Sequence, residues 1–97
     1  MLFAVTALDK PDSLAVRTAA RPDHLLHLEA HKAQLVEVGP LLDETGNPCG
    51  SALVIEMPDR AAAEAFMAAD PYARAGLFES IVVRGYRGVY RAGARLG

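Results

Sequence analysis

The 97-residue sequence has one cysteine, no tryptophan and no block of one charge. The single cysteine, Cys49, excludes an internal disulfide bond and a metal site built from several cysteines. Ten lysines and arginines are spread among twelve acidic residues, so nucleic acid is not an expected partner. The apolar start lacks a basic leader and soon meets Asp9-Lys10-Pro11, too early for a signal peptide or a membrane span. We therefore expect a soluble cytoplasmic protein with no membrane partner.

The composition is that of a globular chain, with 52% hydrophobic and 23% charged residues. A chain of this length fits one domain, and we take residues 1–97 as that domain, with 91–97 as a frayed tail. So small a domain buries only about 60–65% of the surface that its unfolded chain exposes. Association with a second copy would add to that burial, so we expect a homodimer.

The hydrophobic pattern predicts four strands and two helical regions. The strands are expected at 2–8, 38–42, 51–57 and 78–90, and the second helix at 60–69. Pro22 interrupts the first helical region, which is either one kinked helix or a short helix at 13–20 followed by another at 22–37. Residues 35–38 fit a last helical turn or an emerging strand equally well. The element order is β-α-β-β-α-β, which predicts an α+β ferredoxin-like fold.

Both helices should cover one face of the sheet, and a second subunit should cover the other face. Taking the strands that precede the helices as parallel predicts that both helices start at the same end of the sheet. His24 lies eleven residues beyond Ser13 and Asp70 lies eleven beyond Asp59, so each sits about 16 Å from its helix start. The two side chains are thus expected to be level across the helix pair.

A His–carboxylate pair is equipment for general acid–base catalysis, because the carboxylate holds one ring nitrogen and leaves the other free to exchange a proton. Arg17 and Arg21, one helical turn apart, are candidates to bind a carboxylate or phenolate near His24. The alternative for the arginines is a solvated basic face or a pair with Asp23. Tyr72 is a candidate to line the pocket or donate a hydrogen bond, with simple packing as its alternative.

His24, His27 and His31 fall on one face of the first helical region. The first and last are about 10.5 Å apart along a regular helix, too far for both to bind one ion. Two of the histidines with Asp70 remain a geometric possibility, but surface or interface histidines are the default and we predict no metal. The glycines form no phosphate-binding pattern, so no nucleotide cofactor is predicted either.

Four features together resemble the YCII-related (YciI-like) family, and the likeness runs from Phe3 to about Tyr90. They are Asp9-Lys10-Pro11, the segment from Arg17 to His24 with Leu25 and Leu28 after it, Gly39-Pro40-Leu41, and Asp70-Pro71-Tyr72 with Ala75-Gly76-Leu77. The resemblance implies a ferredoxin-like fold that dimerises into an α/β barrel. It also implies an active site centred on a His and an Asp, which match His24 and Asp70 here.

Most members of the family have no assigned reaction, and one branch resembles dehydrochlorinases of chlorinated hydroxyquinols. The resulting hypothesis is a small dimer in which His24 is the general base or acid and Asp70 orients it. The reaction would be a cofactor-free proton transfer or elimination on a small aromatic or carbonyl compound. Two alternatives stay open: a non-catalytic module that binds a small acidic or phenolic ligand, and a structural dimer in which His24 and Asp70 hold the helices together.

Overall fold

The computed structural model describes all residues 1–97. In chain order its elements are β1 (Leu2–Asp9), α1 (Leu14–Ala30), a 3₁₀ turn (Lys32–Gln34), β2 (Leu35–Leu42), β3 (Pro48–Glu56), α2 (Arg60–Ala69), α3 (Pro71–Arg74), β4 (Phe78–Tyr86), β5 (Tyr90–Arg91) and β6 (Ala94–Arg95). The first four long strands form one antiparallel sheet in the order β2-β3-β1-β4. This is the predicted ferredoxin-like α+β fold. No helix is both long and apolar enough to cross a membrane.

The hydrophobic core lies between one face of the sheet and the helices. Alternate residues of β1 and β3 are buried because successive side chains of a strand point to opposite faces. Helix α2 presents a matching apolar stripe at helical spacing. The buried cluster comprises Phe3, Val5, Ala7, Leu53, Ile55, Met57, Ala63, Phe66, Met67 and Val83. The core therefore packs α2 against the two central strands, β1 and β3.

The opposite face of the sheet has no helix over it. Its apolar side chains include Leu8, Val82 and Tyr86, each more than 40% exposed, and the register places Leu8 and Val82 on the same face as Thr6. An exposed apolar sheet face of this kind usually marks an interface. The homodimer that would cover it stays a prediction.

Two local predictions need correction. Helix α1 runs unbroken through Pro22 and ends at Ala30, so a second helix at 22–37 is wrong. One missing backbone donor does not interrupt a 17-residue helix, and the stretch from Leu35 gains more by pairing with β3.

The last long strand ends at Tyr86, not Tyr90. Residues 90–95 form a small hairpin whose turn, Ala92-Gly93, has positive φ at both positions, which is the geometry of a tight two-residue hairpin loop.

The helices α1 and α2 run in opposite directions, and the parallel arrangement expected from the sequence is wrong. Each helix follows a central strand, but β1 and β3 are neighbours that pair antiparallel. The contacts agree, because His27 of α1 meets Phe66 of α2, while His24, one turn earlier, meets Asp70, one turn later. The end of α2 thus lies against the middle of α1.

Candidate active site

The carboxylate of Asp70 is fixed at the junction between α2 and α3. Asp70 is extended (φ −61°, ψ 130°), as expected for a residue that precedes proline, and it both ends α2 and begins α3. Its Oδ1 accepts a hydrogen bond from the backbone N–H of Tyr72 at 2.9 Å, which is an N-cap interaction. The side chain is only 1% exposed. The sequence predicted the helix stop but not the short helix that follows.

His24 meets this carboxylate. Its Nδ1 lies 2.8 Å from Oδ1 and 3.0 Å from Oδ2 of Asp70. Because a carboxylate only accepts, we assign the proton to Nδ1, which donates to Asp70. The other ring nitrogen, Nε2, makes no hydrogen bond within the protein, and no buried side-chain nitrogen or oxygen is left without a partner. Nε2 is therefore open to the neighbouring pocket, which His24 lines.

Tyr72 forms the second layer of the site by stacking on the imidazole. The rings of Tyr72 and His24 are 3.8 Å apart between centroids and inclined by only 15°. Tyr72 is 2% exposed, yet its side chain also lines the pocket. Burial raises the pKa of the Tyr72 phenol, against the opposing charges of Arg17 and Arg21. The hydroxyl thus stays protonated and remains a hydrogen-bond donor.

Arg17 closes the other side of the Tyr72 ring and is held by an internal ion pair. Its guanidinium carbon lies 4.6 Å from the ring centroid. Nε and Nη2 donate to the two carboxylate oxygens of Asp9 at 2.8 and 2.9 Å, and Nη2 also donates to Ser51 Oγ at 2.9 Å. Burial acts to lower the pKa of Arg17, but the hydrogen bonds and charge of Asp9 outweigh it and the pKa is raised. The partner is Asp9 and not Asp23.

Asp9 and Ser51 are site residues that the sequence reasoning missed. In the sequence Asp9 stands out only within Asp9-Lys10-Pro11, although an acid eight residues before a helical arginine is a signal for such a pair. Ser51 gave no signal, because its place beside Arg17 follows from the pairing of Ala7 with Ser51 in the sheet. Both side chains are buried around the guanidinium. Arg17 Nη1 donates to neither Asp9 nor Ser51, and Arg17 lines the neighbouring pocket.

A pocket of about 230 Å³ lies between α1 and the β2–β3 pair. Its inner end is polar and contains His24, Arg17, Ser51 and Tyr72, whereas its outer wall is apolar and contains Leu14, Leu25, Leu28, Val38, Pro40 and Pro48. Arg21 lies at the rim, where it is exposed and makes no hydrogen bond or ion pair within the chain. The volume is slightly below the usual range for small-molecule sites, which suits a compound about the size of one ring.

The remaining histidines bind backbone oxygens instead of facing the pocket. His27 Nε2 lies 3.2 Å from the carbonyl oxygen of Phe66, and His31 Nδ1 lies 2.8 Å from that of His27. No group of three or more His, Cys, Asp or Glu side chains is arranged to hold a metal ion. Cys49 is a free, half-buried thiol. Of the predicted site residues, His24, Asp70, Tyr72 and Arg17 therefore form one connected cluster, and Arg21 stands beside it.

Comparison with known proteins finds relatives by sequence and further proteins that share only the fold. Protein YciI of Escherichia coli is 34% identical over an alignment that covers 93% of this chain and all of YciI. The solved 5-chloro-2-hydroxyhydroquinone dehydrochlorinase of Burkholderia phenoliruptrix, in complex with 2,5-dihydroxybenzoquinone, is 33% identical with a TM-score of 0.84, over 90% of this chain and 94% of that one. A Bacteroides thetaiotaomicron protein named as an antibiotic biosynthesis monooxygenase, 10% identical with a TM-score of 0.58 over 95% and 91% of the two chains, shares the fold alone.

The sequence model of the YCII-related domain matches residues 1–87, from the start of the sheet to the end of β4. The match therefore includes every element that builds the pocket and leaves out only the terminal hairpin. Together with the identity to YciI, this shows that the chain belongs to the YCII-related domain family.

Proposed function

We propose that this protein is a small-molecule enzyme that transfers a proton through His24 Nε2, without a cofactor, on a compact aromatic or carbonyl compound. The observation that carries the proposal is the asymmetry of the imidazole. Nδ1 is held by a carboxylate that is 1% exposed, whereas Nε2 has no protein partner and borders the pocket. A ring fixed at one nitrogen and open at the other is the arrangement that general acid–base catalysis requires.

The rest of the inner pocket supplies hydrogen-bond donors for an oxygen of the ligand. The Tyr72 hydroxyl, Arg17 Nη1 and the rim cation Arg21 all lie at or beside the pocket. A phenolate, enolate or carboxylate oxygen would gain charge-assisted hydrogen bonds from such groups. Because Arg17 is already neutralised by Asp9, Arg21 is the uncompensated positive charge beside the pocket. The favoured substrate is therefore a small, planar acid or phenol.

Elimination is the proton-transfer reaction that we favour. Nε2 accepts a proton from the substrate, the electron pair left behind expels a leaving group with its bonding electrons, and the proton and the leaving group are lost as HX. No electrons are gained or lost overall, so no oxidant or reductant is needed. The Burkholderia relative is a dehydrochlorinase, and its 33% identity over 90% of this chain supports a reaction of this class here.

The test uses the compounds named for that relative. We expect the purified protein to bind 2,5-dihydroxybenzoquinone and to release chloride from 5-chloro-2-hydroxyhydroquinone. His24→Ala should abolish turnover while binding weakens little, since Nε2 acts mainly in the transition state. If the unaltered protein shows no turnover and His24→Ala loses affinity for the ligand, the protein is instead a non-catalytic binding module. Full turnover in His24→Ala would refute the role given to His24.

The proposed assembly is a homodimer formed through the open sheet face. The apolar side chains there and the small size of the chain both favour burial against a second copy. Val82→Glu, on the open face, should yield a monomer in light scattering. Leu26→Glu alters a residue on α1 that is 69% exposed, and this control should remain dimeric. If Val82→Glu also stays dimeric, the interface lies elsewhere.

A further inference from the structure

His27 connects the two helices that carry the acid–base pair. It lies on α1 one turn after His24, and its partner Phe66 lies on α2 one turn before Asp70. Nε2 of His27 is 3.2 Å from the Phe66 carbonyl oxygen, and the two rings stack with centroids 4.6 Å apart. A carbonyl oxygen only accepts, so Nε2 carries a proton and donates it. The contact is the nearest interhelical hydrogen bond to the His24–Asp70 pair.

The Phe66 carbonyl needs an outside donor because of the way α2 ends. In a continuing helix this oxygen would accept from the N–H of Asp70, four residues later. Here the N–H of Asp70 bonds to the Met67 carbonyl at 3.3 Å, because the chain turns away ahead of Pro71. The last carbonyls of a helix are left without partners unless a side chain or water satisfies them. His27 fills that role for Phe66.

The electrostatic state of His27 suits this position. Burial lowers the pKa of His27, and the charges of His31 and His24 add to that effect, against the opposing charge of Asp70 and the hydrogen bond to the Phe66 carbonyl. The ring is therefore neutral near pH 7, with its proton on Nε2. It holds the end of α2 without placing a positive charge beside the carboxylate that orients His24.

We propose that His27 is a positioning residue, which sets the distance between His24 and Asp70 by tying α1 to the last turn of α2. The inference rests on the proposed function for its catalytic meaning, but not for its geometry. Without this hydrogen bond the end of α2 can shift relative to α1, and the Nδ1–H of His24 is then less continuously bonded to Asp70.

The experiment records the imidazole nitrogens and the His24 Nδ1–H proton by NMR in the ligand-free protein near pH 7. His27→Phe keeps a ring against Phe66 but removes the donor, whereas His27→Gln keeps an N–H donor at a similar reach. His31→Phe is the matched control, because His31 also packs on Phe66 but donates to the His27 carbonyl at the end of α1 and not to α2. All three variants are also compared in thermal stability.

In the unaltered protein we expect His27 to carry its proton on Nε2 and His24 on Nδ1. The His24 Nδ1–H should exchange with solvent roughly tenfold faster in His27→Phe, as expected when one hydrogen bond is lost, and at nearly the original rate in His27→Gln and His31→Phe. An unchanged rate in folded His27→Phe would overturn the proposal. If that variant does not fold, the tautomer of His27 in the unaltered protein decides. A neutral His27 with its proton on Nδ1 would overturn the proposal. Neither outcome depends on turnover, so the proposed function can fail separately.

Discussion

Replacing Asp70 with asparagine should remove the function of His24 while leaving the fold almost intact. In the native site Oδ1 accepts from the Tyr72 N–H, and the carboxylate accepts from His24 Nδ1. The amide oxygen of asparagine can keep the first bond, but the amide nitrogen is a donor. It takes the place of Oδ2, 3.0 Å from Nδ1, and sets donor against donor there. This contact is relieved when Nδ1 becomes an acceptor, which moves the proton to Nε2. The nitrogen that faces the pocket would then no longer be a free base.

The expected losses of unfolding free energy distinguish a change of His24 tautomer from a loss of structural support. A hydrogen bond to a charged group contributes about 1.5–3 kcal/mol and a neutral one about 0.5–1.5, so Asp70→Asn should cost about 1 kcal/mol of unfolding free energy. Asp70→Ala loses the N-cap, about 1 kcal/mol, and strands the largely buried Nδ1–H of His24, about 1–3 kcal/mol. We therefore expect about 2–4 kcal/mol for alanine, out of a total stability of about 5–15 kcal/mol.

Urea denaturation measures both losses, and NMR of the imidazole nitrogens reports the tautomer. In serine proteases the corresponding acid-to-amide change lowers turnover by roughly 10⁴-fold through the wrong tautomer, and we expect a loss of about 10²-fold or more in chloride release here. If Asp70→Asn destabilises the protein as much as Asp70→Ala, the charge serves mainly to hold the helices together. If His24 keeps its proton on Nδ1 in the asparagine variant, the account of orientation given above is wrong.

Three further results are expected. Asp9→Asn leaves the buried Arg17 without its anion and should lower the unfolding free energy by about 3–5 kcal/mol, whereas the exposed neighbour control Asp12→Asn should change it little in the same urea titration. Arg21→Gln should weaken binding of 2,5-dihydroxybenzoquinone by about tenfold in calorimetry without moving the melting temperature, since Arg21 is exposed and unpaired; unchanged affinity would remove it from the site. Because burial lowers the pKa of His27, the unfolded chain takes up a proton there first as pH falls below about 6.5. The neutral His27 therefore stabilises the folded state above this pH, and the stabilisation is lost as the pH falls below it. His27→Gln should reduce the drop in melting temperature on acidification. An equal drop in the variant and the unaltered protein would contradict the shifted pKa.

Local signals in the sequence were enough for the second helix and its end. Residues 60–69 are rich in strong helix formers, Asp59 caps their start with an acceptor for the Ala62 N–H, and Pro71 forces the stop. All of these cues act within a few residues, so the predicted bounds agree with the structure. The site residues His24 and Asp70 were likewise identified, and the structure brings them within hydrogen-bond distance.

Features that depend on pairing between distant strands were not predictable in the same way. Ser51 reaches Arg17 only because β3 pairs with β1 in one particular register. His24 and Asp70 meet although the two helices are not parallel, because β1 and β3 pair antiparallel. Because α2 runs opposite to α1 and is short, Asp70, which directly follows it, lies beside the middle of α1.

The stripe of α1 that borders the pocket has a consequence for how this scaffold can change over generations. Leu14, Arg21 and Leu25 are exposed along this stripe, and none of the three side chains takes part in the core or the acid–base pair. Surface substitutions of this kind usually alter stability by less than about 0.5 kcal/mol. Selection can therefore exchange the rim one residue at a time, and admit a different compound to the same pocket beside His24, with little effect on the folding of the domain.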